Sequence, residues 1–189
     1  VRRPAPMTEA GLLDQIRTGK LAGPLLYLDG VQNPHNLGAL LRTSAHFGAV
    51  AILGAADDLP EISAATARVA EGGAEHVAVV GLKKPEKTLP ALKESGYVIL
   101  ATSSHHGRPV YKEKLTSKTI FILGGENQGV TADLLQLADR CLQIPGTGQV
   151  ESLNVSVAGA VLLSELYRQL SAGEAKSPST SRAKKTGRT

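Results

Sequence analysis

Tryptophan is missing from this chain, and its two phenylalanines and four tyrosines are scattered singly. A sheet that reads RNA by stacking bases on clustered aromatics is hard to build from so few rings, so any nucleic acid must be held by other means. Cysteine occurs once, at Cys141 in the apolar run Cys141-Leu-Gln-Ile144. A single thiol excludes an internal disulfide, argues against a metal cluster, and reads as a small core residue. There is no stretch of about 18 consecutive apolar residues and no charged-then-apolar leader, so membrane insertion and secretion are not signalled. A cytoplasmic protein is the simplest expectation.

What is present is a chain of 189 residues, 42% apolar, long enough for one α/β domain with a proper core. Its net charge of +4 is unevenly spread. Residues 171–189 hold Lys176, Arg182, Lys184, Lys185 and Arg188 against Glu174, so the tail carries the whole excess and the body is neutral. Such a mixture of Ser, Thr, Lys and Arg has too little apolar surface to offset ordering entropy, and a disordered basic tail is expected. It either touches phosphates or is merely solvated.

The start, Val1-Arg-Arg-Pro-Ala-Pro6, alternates proline with small residues and lacks an initiator methionine, as a linker in a fragment or trimmed chain would. From Thr8, a capping type of residue, the spacing of Leu12, Leu13 and Ile16 predicts a short helix ending near Gly19, so residues 1–20 read as linker plus helix. Apolar runs then recur at Leu25 to Leu28, Ala49 to Leu53, Val77 to Val80, Tyr97 to Ala101, Thr119 to Leu123 and Cys141 to Ile144. Because the runs are continuous rather than alternating, both faces of each strand should be covered. This predicts an α/β fold, a mainly parallel sheet with helices on both faces, over residues 21–170.

Between the runs, Asn36 can cap a helix with the stripe Leu37, Leu40, Leu41 and Ala45, closed by Gly48. A second helix is predicted from Pro60 to Val69, stopping at Gly72-Gly73, and a third from Thr88 to Ser95, ended by Gly96. The last begins near Asn154 and is apolar nearly all round through Leu163. It must be enclosed by its own domain or by a second subunit, and partial burial in a homodimer is the favoured reading.

Three loops carry the candidate chemistry. The first is Asn33-Pro-His-Asn-Leu-Gly38 leading to Arg42; Gly38 and Arg42 are four apart on one helical face, which predicts room for a ribose or phosphate beside the guanidinium. The second is Ile122-Leu-Gly-Gly-Glu-Asn-Gln-Gly129, whose glycine spacing does not fit a dinucleotide fingerprint. The third is Ile144-Pro-Gly-Thr-Gly-Gln-Val-Glu-Ser-Leu-Asn-Val-Ser-Val-Ala158, where either Ser152 or Asn154 could cap the final helix. A fourth loop, Thr102-Ser-Ser-His-His-Gly107, follows another strand and should rim a pocket. Adjacent side chains such as His105 and His106 diverge, and no third ligand stands at a recognised spacing, so no metal is expected. His35 and His46 read as capping or surface residues.

In this order the three loops resemble the three signatures of the SpoU/TrmH family of RNA ribose 2′-O-methyltransferases, a branch of the SPOUT methyltransferases. The resemblance covers roughly residues 25–170, and Val69-Ala-Glu-Gly-Gly-Ala-Glu75 is similar to a further family segment. It implies S-adenosyl-L-methionine as cofactor, structured RNA (rRNA or tRNA) as substrate, a homodimer, and a C-terminal trefoil knot. Cofactor contacts are implied for Thr102, Gly124, Ile144 and Leu153. Catalytic or RNA contacts are implied for Asn36, Arg42, Glu126, Ser152 and Asn154, with Arg42 acting across the dimer interface. A protonated arginine stabilises charge; whether it also accepts the hydroxyl proton depends on its surroundings. The rival expectation is a non-catalytic RNA-binding or ribosome-assembly factor of the same fold, against which the five intact polar residues argue.

Overall fold

The computed structural model describes residues 7–125 and 128–174. Helix α1 (Glu9–Arg17) starts where Thr8 Oγ1 accepts the Gly11 amide at 3.1 Å. There follow β1 (Leu25–Asp29), α2 (Pro34–Phe47), β2 (Ala51–Ala55), α3 (Ala64–Ala70), β3 (Ala78–Leu82), α4 (Pro85–Glu94), β4 (Val98–Thr102), β5 (Arg108–Pro109), β6 (Thr119–Gly124), α5 (Ala132–Leu137), β7 (Arg140–Gln143) and α6 (Val155–Glu174). The strands form one sheet in the order β3-β2-β1-β6-β4-β7-β5, and all six pairings are parallel.

Both faces of the sheet are sealed. Side chains alternate across a strand, so Leu26, Leu28, Phe121 and Leu123 join Leu40, Leu41, Leu162 and Leu166 of α2 and α6 in one core. On the opposite face Leu25, Tyr27, Ile120 and Ile122 meet Leu12, Leu89, Leu92 and Leu134 of α1, α4 and α5. Continuous apolar runs with helices on both sides are thus what the sequence pattern implied.

The boundaries differ in instructive ways. Ala49, Val77 and Tyr97 are buried but precede their ladders, because the chain enters the core before it pairs. The cap of α2 is Asn33, whose Oδ1 accepts the His35 amide at 2.9 Å, with Pro34 at the first helical position; Asn36 is therefore not the cap. Helix α3 starts at Ala64 rather than Pro60, because Ser63 Oγ accepts the Thr66 amide at 3.1 Å. Helix α4 begins at Pro85, before Thr88, and Thr88 instead gives its hydroxyl to the Glu9 carboxylate, tying α4 to α1. Helix α5 and the two-residue β5 were not foreseen, and α6 runs to Glu174, past the expected domain end at 170. Residues 175–189, most of the expected tail, and residues 1–6 lie outside the described set.

Cys141 is half-buried rather than a core residue, since it sits on the short β7 near the sheet edge. Burial still pushes its thiol pKa up. Among the described residues no helix is long and apolar enough to cross a membrane.

Gly38 is buried between α2 and α3: a Cβ there would lie 2.8 Å from both the Thr66 carbonyl oxygen and Val69 Cβ. The expected space beside it for a ribose or phosphate is absent, because α3 fills it. Gly38→Ala should therefore destabilise the fold by about 1–3 kcal/mol through overpacking, read as a lower urea midpoint at unchanged slope.

Glu165 on α6 is buried and accepts Arg168 Nε at 2.7 Å, Arg168 Nη2 at 2.8 Å and Gln169 Nε2 at 2.8 Å. The Arg168 bonds, outweighing burial, hold its pKa below the usual carboxylate value. A depressed folded value means that its contribution is whole above the unfolded pKa of about 4.3 and is lost as pH falls through the folded one. The stability gap between the wild type and Glu165→Gln should accordingly be widest near neutrality and shrink in the acid range, as urea titrations at stepped pH would record.

Candidate functional site

Parallel strands deliver their C-terminal ends to one rim, and there β4, β6 and β7 open into a cavity of about 570 Å³. Thr102, Gly124, Ile144 and Leu153, expected from three different segments, all line it, as does Ser152. Thr102 closes off β4, its Oγ1 donating to the Ile122 carbonyl at 2.9 Å, so the hydroxyl braces the wall. Ile144 packs from the cavity onto the α2/α6 core, whereas Leu153 is 43% exposed at the rim beside Val150 at 72%. Apolar side chains left open at the edge of a cavity are the kind of surface that a flat ligand covers.

The loop after β6 is built by close approach. A Cβ at Gly124 would lie 2.1 Å from the Gly129 carbonyl carbon, and one at Gly125 would lie 2.4 Å from the Gly30 carbonyl oxygen. Only glycine lets the loop fold back on its own strand here. Asp29 at the end of β1 clamps it twice: its carbonyl accepts the Gly125 amide at 2.7 Å, and Oδ2 accepts the Thr131 amide at 2.7 Å. Glu126, expected to act in the site, lies outside the described residues, although the loop that bears it begins and ends in the cavity wall. Asp29 was not singled out from sequence. A carboxylate immediately after an apolar run was the available signal.

The loop 103–107 straps over β7, which lies between β4 and β5. The Ser103 amide donates to the Leu142 carbonyl at 2.9 Å, and Gln143 Nε2 donates to the Ser104 carbonyl at 2.8 Å. From this strap His105 Nε2 reaches Glu151 Oε1 at 3.1 Å across the cavity mouth, while His106 Nδ1 lies 3.1 Å from Ser103 Oγ. The two imidazoles thus serve separate contacts. Among the described residues no three His, Cys, Asp or Glu side chains gather as a metal group.

Asn36 and Asn154, separated by 118 positions, meet: Asn154 Nδ2 donates to Asn36 Oδ1 at 3.2 Å. With Asn33 serving as the cap of α2, the Asn36 side chain is released for this contact. Asn154 Oδ1 accepts the Ser156 amide at 2.9 Å and its hydroxyl at 2.6 Å, the bond of a capping residue at the start of α6. Arg42 stands elsewhere. It projects from the exposed side of α2, pairs with Glu71 Oε2 at 2.9 Å, and lines a shallower hollow of about 420 Å³ with Thr43, His46, Phe47 and Ala160. This hollow shares no residue with the cavity.

With the geometry in place, the profile of the SpoU rRNA Methylase family matches residues 23–164. The chain belongs to the SpoU rRNA methylase family. The uncharacterized tRNA/rRNA methyltransferase YfiF of Escherichia coli O157:H7 is 40% identical over 145 residues, 77% of this chain but 42% of that protein's length. The 23S rRNA (guanosine-2′-O-)-methyltransferase RlmB of Photobacterium profundum is 36% identical over 167 residues, covering 88% of this chain and 68% of RlmB. Among solved structures, the TrmH/SpoU tRNA modifying enzyme of A. aeolicus superposes with a TM-score of 0.73 at 27% identity, over 92% of this chain and 90% of that one.

The double role of Asn154 as cap and bridge sets a test. Asn154→Ala should lower the unfolding free energy by about 1 kcal/mol, whereas Asn154→Asp, which keeps the acceptor at a helix N-terminus, should retain stability. Thermal and urea melts of the two variants check this.

Proposed function

We propose that this SpoU-family chain transfers a methyl group from S-adenosyl-L-methionine to a ribose 2′-hydroxyl of structured RNA, ribosomal or transfer, and works as a homodimer. The observation that carries the reading is the convergence of Thr102, Gly124, Ile144 and Leu153 on one cavity. Its size falls within the roughly 300–1,000 Å³ typical of small-molecule sites. The donor set fits as well: Leu123, Ile144 and Leu153 offer apolar surface for a nucleoside ring, and Gly124 and Gly146 offer backbone groups to its polar edges.

When bound, S-adenosyl-L-methionine supplies a sulfonium methyl group open to in-line attack by oxygen. The 2′-hydroxyl must lose its proton as its oxygen gains that methyl, so the protein has to orient the hydroxyl and stabilise negative charge on it. Ser152 lies on the cavity wall, and the Asn36–Asn154 pair stands at the start of α6 two residues on; we assign them the orientation of the ribose. Arg42 stabilises the phosphate and the developing oxyanion from the twin protomer, and Glu126 orients the site.

Support for the dimer comes from α6 and the hollow beside Arg42. Val157 and Tyr167 are 47% and 52% exposed, and the Tyr167 ring lies 5.9 Å from Phe47, which lines that hollow. Aromatic and aliphatic side chains next to an arginine suit a second copy of the chain. The placement of β7 under the strap 103–107 supports a C-terminal trefoil knot, and a cytoplasmic location accords with an rRNA or tRNA substrate.

Arg42→Ala should abolish incorporation of labelled methyl into RNA while S-adenosyl-L-methionine affinity by calorimetry stays nearly unchanged. Gly124→Ala should do the reverse first, removing cofactor binding because its new methyl group collides with Gly129. Cofactor binding by the wild type with no incorporation into bulk RNA would favour the assembly-factor reading instead.

A further inference from the structure

Among the described residues Glu71 is the one non-glycine with a left-handed backbone, at φ 43° and ψ 51°. That geometry presses Cβ toward the following carbonyl, which is why glycine or asparagine ordinarily takes it. Gly72, at φ 88°, and Gly73 follow at once, so α3 ends on one strained residue and two permissive ones. Glycine at position 71 would end the helix without that cost. Strain retained by a residue with a long charged side chain points to a use for that side chain.

The use is visible in the ion pair, Glu71 Oε2 to Arg42 Nη2 at 2.9 Å, and the backbone beneath it is fixed. A Cβ at Gly73 would lie 2.7 Å from the Leu41 carbonyl oxygen and 2.8 Å from the Arg42 amide nitrogen. Together with the close packing at Gly38, this docks the end of α3 directly onto the residue that carries the guanidinium. Both side chains are about 60% exposed, so the pair adds little to stability.

We infer that Glu71 is a positioning residue for Arg42: its carboxylate holds one edge of the guanidinium so that the remaining N–H donors are presented to an RNA phosphate and the ribose oxygen. The inference rests on the assignment of Arg42 to methyl transfer. An arginine loose on a helix surface must lose rotamer freedom when RNA arrives, whereas a fork already set loses less. The same carboxylate opposes phosphate binding through its charge, so its benefit falls on turnover and not on RNA affinity.

The test compares the wild type with Glu71→Gly, Glu71→Gln and Arg42→Ala by melting temperature, S-adenosyl-L-methionine and RNA affinity, single-turnover methyl transfer, and the Arg42 Nε–H resonance in NMR spectra. Glu71→Gly should keep or raise the melting temperature, leave cofactor affinity unchanged and RNA affinity unchanged or tighter, and slow transfer by about ten- to a hundred-fold. The Arg42 resonance should shift or broaden in the same variant. Glu71→Gln, which keeps an acceptor, should recover part of the rate. Wild-type turnover in Glu71→Gly, an unmoved Arg42 signal, or a large fall in melting temperature would overturn the inference. Full turnover by Arg42→Ala would sink the role of Arg42 itself, a result separable from those because the NMR readout does not depend on activity.

Discussion

Parallel pairing of all seven strands is the constraint on which the rest of this structure depends. With both faces of the central strands sealed by helices, their side chains are committed to the core, and backbone and polar groups turn outward at the strand ends. Parallel register brings those ends to one rim. The cavity therefore forms where β4, β6 and β7 stop, and the loops that follow them supply its walls.

How those loops keep their shape is mostly a matter of backbone contact. Gly124 and Gly125 let the segment after β6 press against itself and against Gly30, while Asp29 ties both ends of it to β1. The strap 103–107 is fastened by hydrogen bonds to β7, with His105 and Glu151 meeting across the opening. A few side chains, Asp29, Thr102 and Gln143 among them, complete the bracing. Asn154 does the same for the last loop, since it both caps α6 and joins Asn36.

Charge is organised on a separate face. Arg42, Glu71 and the ring of Phe47 lie on the α2 and α3 side, around a hollow that the cavity does not reach. On the function proposed above, the cavity takes the small molecule and the guanidinium meets the polyanion, so a body with equal numbers of acidic and basic residues needs only a local charge and no net one.

Much of this was legible in the order of residues. Continuous apolar runs marked six of the seven strands and the double-faced burial of the central four, and glycine-rich turns after Leu123 and Ile144 marked the cavity walls, because burial and turn chemistry are local properties of a chain. Three things were decided only by tertiary structure. Asn36 met Asn154, 118 positions away; Gly38 proved to be a helix contact, since what stands opposite a glycine is set by packing; and Arg42 came to lie away from the cavity of its own chain. Each depends on which non-neighbouring segments the strand order brings side by side, and spacing along one chain carries no record of that order.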